Sequence, residues 1–389
     1  MKALILSVST GGGHGRAAEA IKESILLNEP DSEVKIIDTL KYISPFLDKL
    51  VVGTYLKSIR YYPSFFKFLY KHTDDEGKFL KPSILGNDFL TKQLLPTIIE
   101  YDPDILIATH AFTAQILSVL RKKFAWNKAS VVVMTDYAPH AFWVHRNVDA
   151  YVVSNEDMIP ELVLRGRKKE SVYPYGIPIS KAFLELKPKE EIYDSLGLEG
   201  MKTITIMGGS LGIGNIEDIL EEICEIPMNF QIIVLTGKNE KLYDKVMSDC
   251  AKSDKKIVAL PYSDRMNDIL SITDILITKP GGLTITESFI TGTPLAVYSA
   301  IPGHEVQNAD YLFRHELAID LGTGVNCGPK IQSLLSDDIR LKQMKMRSLR
   351  NGKPFASQNI YNLSRKLINE KNSSQELLKP AYHAQIQKL

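Results

Sequence analysis

The densest chemistry in this 389-residue chain lies at Lys279-Pro280-Gly281-Gly282-Leu283-Thr284-Ile285-Thr286-Glu287. The apolar run Asp274-Ile275-Leu276-Ile277-Thr278 predicts a strand that stops at the glycine pair, with a helix opened by Thr284 directly after it. A helix that begins on glycines presents unpaired backbone N–H groups and the positive end of its dipole to an anion. Glu287 lies one turn inside, too deep to cap those N–H groups but able to reach a polyol. Phosphate at the helix start and ribose hydroxyls one turn on describe a nucleoside-diphosphate site. After one more apolar run comes a second polar stretch, Pro302-Gly303-His304-Glu305-Val306-Gln307-Asn308.

Two successive α/β units must position these residues. Runs suited to strands occur at 3–8, 33–37, 105–109, 130–134 and 150–153, with helical patterns at 15–28 and 111–123. The second half repeats the alternation, with strands at 202–207, 230–235, 256–260, 274–278 and 294–298. Its helices are expected at 215–225, 239–251, 264–271, 284–291 and 307–314. Such alternation predicts parallel sheets with helices on both faces. The expected domains are 1–180 and 181–356, with the polar stretch 187–200 as linker or entry to the second and a fraying tail over 370–389.

Both units open as strand, glycine loop, helix. The first loop is Ser9-Thr10-Gly11-Gly12-Gly13-His14-Gly15, and the second is Gly208-Gly209-Ser210-Leu211-Gly212-Ile213-Gly214. Ligands of open parallel sheets sit at the carboxyl ends of the strands, so two facing edges make a cleft lined by both loops. Neither loop is a P-loop, because no Gly-Lys-Ser/Thr follows. The dinucleotide fingerprint fits poorly, although Asp38 stands near the right distance for a ribose contact. A tight strand-to-helix turn accounts for either loop alone; both loops together with Lys279–Glu287 favour a cleft.

Composition narrows the class. The 44% hydrophobic and 24% charged fractions are those of a soluble globular chain, and its length favours two domains. A net charge of +1 gives no global field for nucleic acid. The three cysteines, Cys224, Cys250 and Cys327, are an odd number without metal-like spacing and suit a reducing compartment. No apolar run approaches the roughly 20 residues that span a bilayer. The expected location is cytoplasmic, with peripheral contact to the inner membrane face.

An ordered set of motifs over roughly residues 1–320 resembles the family of monogalactosyldiacylglycerol synthases and bacterial processive diacylglycerol glucosyltransferases. More distantly the chain is similar to the N-acetylglucosaminyltransferase of lipid-linked cell-wall precursors. The motifs are Ser9–His14, Thr109-His110, Thr135-Asp136, Trp143-Val144-His145, Gly176-Ile177-Pro178-Ile179, Gly208–Gly212, Thr236-Gly237-Lys238-Asn239, Lys279–Thr284 with Glu287, and Pro302-Gly303 with Glu305 and Asn308. The resemblance implies a GT-B fold, two Rossmann-like α/β domains whose parallel sheets face each other across a cleft. It implies an acceptor-binding first domain, a nucleotide-sugar-binding second domain, inversion at the anomeric carbon and no obligatory metal. It also implies a last helix, here 357–369, that crosses back onto the first domain.

Transfer from a nucleotide sugar needs the charge building on the β-phosphate to be stabilised. Without a metal, backbone N–H groups, hydroxyls and a helix dipole must do it; Gly209, Ser210, Gly281, Gly282 and Thr284 supply those groups. No Asp-x-Asp pair ends a strand, and Asp337-Asp338 reads as a surface turn. Glu287 would take the ribose diol, and the uracil would lie near Leu260–Tyr262 beside Met266. Gly13, Lys238 and Lys279 complete the expected nucleotide-sugar contacts. By similarity, Gly303, His304, Glu305 and Gln307 or Asn308 hold the sugar. Many family members carry Gln where this chain has His304.

A base must take the proton of the acceptor hydroxyl. His14 is the first candidate: histidine titrates near neutrality, and a helix N-terminus lowers its pKa and keeps it able to accept. A cap or an anion contact is the alternative role. Asp136, ending the strand 131–135, is the second candidate, as base or as a group that orients His14. His110 also ends a strand at the cleft edge. Trp143 and His145 are expected at the acceptor site, with packing as the alternative for the histidine.

Between Lys49 and His72 lie five basic residues, Lys49, Lys57, Arg60, Lys67 and Lys71, and no acidic one. Seven aromatics interleave, among them Phe65 and Phe66. A helix pair packed on the first sheet explains this composition; the resemblance favours an anionic membrane surface and lipid entrance. The expected reaction is transfer of glucose or galactose from a UDP-sugar to diacylglycerol, once or processively. A polyprenyl-linked or other lipophilic acceptor, and a nucleotide-sugar-binding or epimerase-like protein without lipid transfer, are the alternatives. The sequence does not choose between the two hexoses or give an oligomeric state.

Overall fold

The computed structural model describes the backbone of residues 1–9, 12–43, 80–212, 214–250, 253–300 and 303–386, and their side chains except at 80–88, 249–250 and 374–386. The first unit holds strands β1 (Lys2–Ser7), β2 (Glu33–Asp38), β3 (Ile105–Ala108), β4 (Ala129–Val133), β5 (Ala150–Val152) and β6 (Val172–Tyr173). Its helices are α1 (Gly13–Asn28), α2 (Thr39–Ile43), α3 (Leu80–Tyr101), α4 (Ala111–Phe124) and α5 (Met158–Leu164). After α6 (Lys189–Leu196), the second unit has strands β7 (Thr203–Met207), β8 (Gln231–Gly237), β9 (Ile257–Pro261), β10 (Ile275–Thr278), β11 (Leu295–Val297) and β12 (Ala318–Asp320). Its helices are α7 (Ile216–Cys224), α8 (Glu240–Cys250), α9 (Met266–Ser271), α10 (Gly282–Thr291), α11 (His304–Arg314), α12 (Gly328–Leu335) and α13 (Asp338–Asn351), and α14 (Ala356–Ile386) follows.

Each unit is built on a six-stranded sheet, in the orders β2-β1-β3-β4-β5-β6 and β12-β11-β10-β7-β8-β9. Every pairing is parallel. A parallel sheet needs both faces covered, which is why its strands read as continuous apolar runs. In β1, Leu4 and Leu6 point into one core with Leu106 and Val132, while Ala3 and Ile5 point into another with Ile21 and Ile25. These are the two Rossmann-like α/β domains expected from the sequence.

α14 carries the chain back to the first sheet. Its Ile360, Leu363, Leu367 and Ile368 are buried in the same core as Ala3 and Ile5. Each such side chain contributes roughly 1.5–3 kcal/mol when fully buried. Lys371 extends the contact by pairing with Asp149 at 3.0 Å. The helix runs on to Ile386, past the point near 370 where the sequence predicts a fraying tail.

Some elements differ from the sequence expectation. β6 has two residues, too short to show a periodic signal, and β12 was not anticipated either. The polar stretch 187–200 contains α6, which buries Ile192 alone among its side chains and ends on Gly197 in the left-handed conformation. Asp337, read as part of a surface turn, is the N-cap of α13: its carboxylate accepts from the Arg340 N–H at 2.9 Å.

Candidate active site

Strand order locates the site before any side chain is considered. In the first sheet the chain steps from β1 outward to β2 and then returns to place β3 on the other side of β1. In the second, β8 and β9 lie on one side of β7, and β10 on the other. Such reversals open a crevice at the carboxyl ends of the two central strands. β1 and β3 end at the His14 loop and at Thr109-His110; β7 and β10 end at Gly208–Ser210 and at Lys279–Gly282. The chemical groups read from the sequence stand at both switch points.

The two edges face each other closely. A Cβ placed on Gly12 would stand 3.5 Å from Ser210 Oγ, and one on Gly13 would stand 3.7 Å from Leu283 Cβ. At Gly282 a Cβ would fall 2.0 Å from the Thr135 carbonyl oxygen. That approach is open to glycine alone and brings the start of α10 onto the end of β4.

His14 opens α1 next to Gly12, whose φ of 89° suits glycine. Its Nδ1 lies 3.0 Å from the Thr109 carbonyl and 2.7 Å from Thr135 Oγ1. A carbonyl only accepts, so Nδ1 carries the proton and Nε2 keeps its lone pair. Burial lowers the pKa of His14; the Asp136 carboxylate opposes this, and His304 adds to it. The His110 ring meets His14 edge-on at 4.6 Å, and Trp143 stands 6.3 Å from His14. Burial and the two neighbouring histidines hold His110 well below its usual pKa. Its Nδ1 accepts from the Phe112 N–H at 3.1 Å, capping α4.

The opposite wall belongs to the second unit. The N-cap residues of α10 and α11, Gly281 and Gly303, make no side-chain cap among the described residues, and a helix start without one leaves its first N–H groups to other partners. Lys279 is buried; burial lowers its pKa, with the Glu305 charge opposing. The Gly208–Gly212 loop is bound to its neighbour by Lys238 N–H to Ser210 O at 3.0 Å and Asn239 Nδ2 to Gly212 O at 3.1 Å. At the outer rim the Lys238 ammonium lies 5.9 Å over the exposed Tyr262 ring. Met266 and Thr284 are buried nearby. Glu287, with a side chain 3% exposed, has one carboxylate oxygen 3.3 Å from Arg16 of the first unit. Its other oxygen is buried without a hydrogen-bond partner among the described residues. A cavity of about 340 Å³ is lined by Arg16 and Glu287, with Met266, Leu283 and Phe183 also in its wall.

Several sequence-assigned residues have structural partners that redefine them. Asn308, expected at the sugar, is fully buried: its Oδ1 accepts from Tyr137 N–H at 2.7 Å and its Nδ2 donates to Pro280 O at 3.0 Å. It is a strut between the units. His145 Nε2 meets the Phe142 carbonyl at 3.0 Å, and burial lowers its pKa to about 4, which suits the packing role. The Lys49–His72 segment, with Arg60, Phe65, Phe66 and Lys67, lies outside the described residues.

Tyr137 and Arg16 were not singled out from the sequence, and Thr135 was named only as part of a motif, without a role. Thr135 bonds His14. Tyr137 of the first unit is buried in the second unit's core, its ring 5.7 Å from Phe289 and its hydroxyl 2.9 Å from Thr286 Oγ1. Arg16 was detectable in principle: a cation in the first turn of a helix opposes the dipole and marks a residue with business elsewhere.

Residues 14–179 match the family described as Monogalactosyldiacylglycerol (MGDG) synthase, and residues 203–358 match the glycosyltransferase family 28 C-terminal domain. The chain is 30% identical over 349 residues to a processive diacylglycerol beta-glucosyltransferase of Bacillus subtilis, covering 88% of this chain and 89% of that protein. The Bacillus pumilus protein of the same name is 30% identical over 355 residues, covering 90% and 91%. Among solved structures, Acinetobacter baumannii MurG aligns with a TM-score of 0.61 at 15% identity, over 94% of this chain and 99% of that one. S. aureus MnaA bound to UDP aligns with a TM-score of 0.63 at 15% identity, over 95% and 97%.

Proposed function

This chain belongs to the family of monogalactosyldiacylglycerol synthases and processive diacylglycerol beta-glucosyltransferases, and we propose that it moves glucose from UDP-glucose to the free hydroxyl of diacylglycerol with inversion. The enzyme is a UDP-sugar-dependent hexosyltransferase of the GT-B fold. The observation that carries the reading is the contact of Gly282 with Thr135, which sets the phosphate-binding start of α10 beside the His14 imidazole.

The reaction follows from the two walls. UDP lies along α10, its ribose diol on Glu287 and its diphosphate on the N–H groups at Gly281–Thr284 with Lys279. The acceptor oxygen attacks the anomeric carbon from the face opposite the phosphate, and His14 Nε2 takes its proton. The bond from the anomeric carbon to the β-phosphate oxygen breaks, and UDP leaves with the electron pair. An α-linked donor thereby gives a β-glycoside. Asp136 steadies the imidazolium electrostatically. Helix N–H groups and Lys279 meet the leaving-group charge as it forms, so transfer is expected to persist in EDTA. His304 and Glu305, at the start of α11, are placed to sort the sugar.

No helix among the described residues is long and apolar enough to cross a membrane. The basic and aromatic segment from Lys49 to Lys71 is the proposed contact with the anionic inner leaflet.

Labelled UDP-glucose and UDP-galactose, each incubated with the protein and diacylglycerol vesicles, test the reading. A labelled glycolipid from UDP-glucose is expected, at a higher rate than from UDP-galactose. UDP binding without any lipid product would overturn it, and conversion of the UDP-sugar into an epimer would replace it with the epimerase alternative. A Thr135→Val variant is expected to turn over about 3–10-fold more slowly with unchanged donor affinity. That change removes one hydrogen bond from His14 and none from the donor, and steady-state kinetics in both substrates would show it.

A further inference from the structure

The Arg16–Glu287 pair joins two units that share no local sequence. Arg16 sits one turn into α1 and Glu287 one turn into α10, so each belongs to a different wall of the cleft. The glutamate is almost wholly enclosed, whereas the arginine side chain is 39% exposed and lines the cavity. The cavity's other charged walls are acidic: Glu19 and Glu23 from α1, and Asp264 from the turn before α9. Arg16 is therefore the one cation among its described lining residues. A buried carboxylate with no counterion is unfavourable, and one oxygen of Glu287 has no hydrogen-bond partner among the described residues.

We propose that Arg16 is a positioning residue for the donor: from the acceptor domain it pins one oxygen of Glu287 and leaves the other facing the ribose hydroxyls of UDP. The ribose site is then complete only when the two domains are closed. Closure is also what brings His14 beside α10, so donor capture and assembly of the catalytic site share one contact. This rests on the reading that Glu287 takes the ribose. Arg16 does not touch the reacting atoms, and its effect is transmitted through Glu287.

Burial raises the carboxyl pKa of Glu287, and Arg16 opposes the rise. Removing the guanidinium lets Glu287 take up a proton at higher pH. The loss of donor binding on acidification should then begin at a higher pH than in the wild type.

Calorimetric titration of the full chain with UDP and with uridine, from pH 5.5 to 8, tests this. Arg16→Gln is expected to weaken both ligands about tenfold and by the same factor, because uridine contains the ribose and lacks the phosphates. Its acid limb should move upward, Arg16→Lys should restore most of the affinity, and in a Glu287→Gln background Arg16→Gln should have little further effect. Weaker UDP binding with unchanged uridine binding would overturn the proposal and assign Arg16 to the diphosphate. Unchanged binding of both ligands across the pH range would also overturn it and leave the donor site intact. Failure of the wild type to bind UDP would instead overturn the donor-site reading itself. Thermal unfolding of Arg16→Gln near the wild-type temperature excludes misfolding as the cause.

Discussion

His14→Ala is expected to slow sugar transfer by about 10²–10⁴-fold while leaving UDP affinity close to that of the wild type. The separation follows from where the ring is held. Its Nδ1 side is occupied by the Thr109 carbonyl and Thr135 Oγ1, both in the acceptor domain. Nε2 is left as the one basic atom of the imidazole, and the groups proposed to bind UDP belong to the other domain. The pH profile carries a second signature. Burial lowers the pKa of His14 from its ordinary 6.5, against the pull of Asp136. A lowered pKa keeps the ring neutral further into acid, so the acid limb of the rate profile should fall below pH 6.5. Asp136→Asn should move that limb lower still, since it removes the charge that favours the imidazolium. If Asp136→Asn abolishes transfer while His14→Ala is only mildly affected, the carboxylate is the base and the histidine a spacer. Steady-state rates of both variants, with calorimetric UDP affinities, decide between them.

The sequence made the central strands of both sheets legible, while the long helices α3 and α13 were not anticipated. The central strands and their helices are present in both sheets, with boundaries displaced by one to three residues. Short edge strands such as Val172–Tyr173 gave no pattern, because two residues cannot show alternation. The glycine loops were legible for a different reason: glycine pairs at strand ends mark places where backbone must approach something closely. What they approach was not legible. At Gly282 it is the Thr135 backbone of the other domain, a contact between residues far apart in the chain.

Side-chain roles were readable only where one partner sufficed. The sequence assigns Glu287 to a diol, but Arg16, its partner across the cleft, was not singled out. Asn308 has an amide fit for a sugar, yet three-dimensional context assigns both its ends to backbone groups of Tyr137 and Pro280. Tyr137 carried no assignment from the sequence. It is a plug whose ring lies in the donor domain's core, 5.0 Å from Tyr311. The sequence-level reading placed base and donor in separate halves; the Tyr137–Asn308–Pro280 chain of contacts is what holds the halves in register.

Gly282→Ala should test that register most directly. The added methyl group would stand 2.0 Å from the Thr135 oxygen and 3.0 Å from its carbonyl carbon, inside any tolerable contact. Backbone cannot rotate aside as a flexible side chain can, so the domains must separate or the end of β4 must shift. Either movement displaces Thr135, and with it the His14 ring, from the start of α10. A misplacement of about 1 Å at a reacting group costs about 10²-fold in rate, and transfer should fall at least that far. UDP should still bind, because the α10 N–H groups and Glu287 move as one rigid helix. Affinity should nonetheless weaken, because Arg16 is drawn away from Glu287 along with its domain. The stability loss should be smaller than the loss of activity, about 1–3 kcal/mol as for other overpacked contacts. Gly15→Ala is the matched control: its methyl group meets nothing within 4 Å and replaces glycine inside a helix, where alanine is favoured by about 1 kcal/mol. A Gly282→Ala enzyme that transfers sugar at the wild-type rate would mean that the closed contact between α10 and β4 is not the catalytic arrangement, and that the base and the donor meet in some other disposition of the two domains.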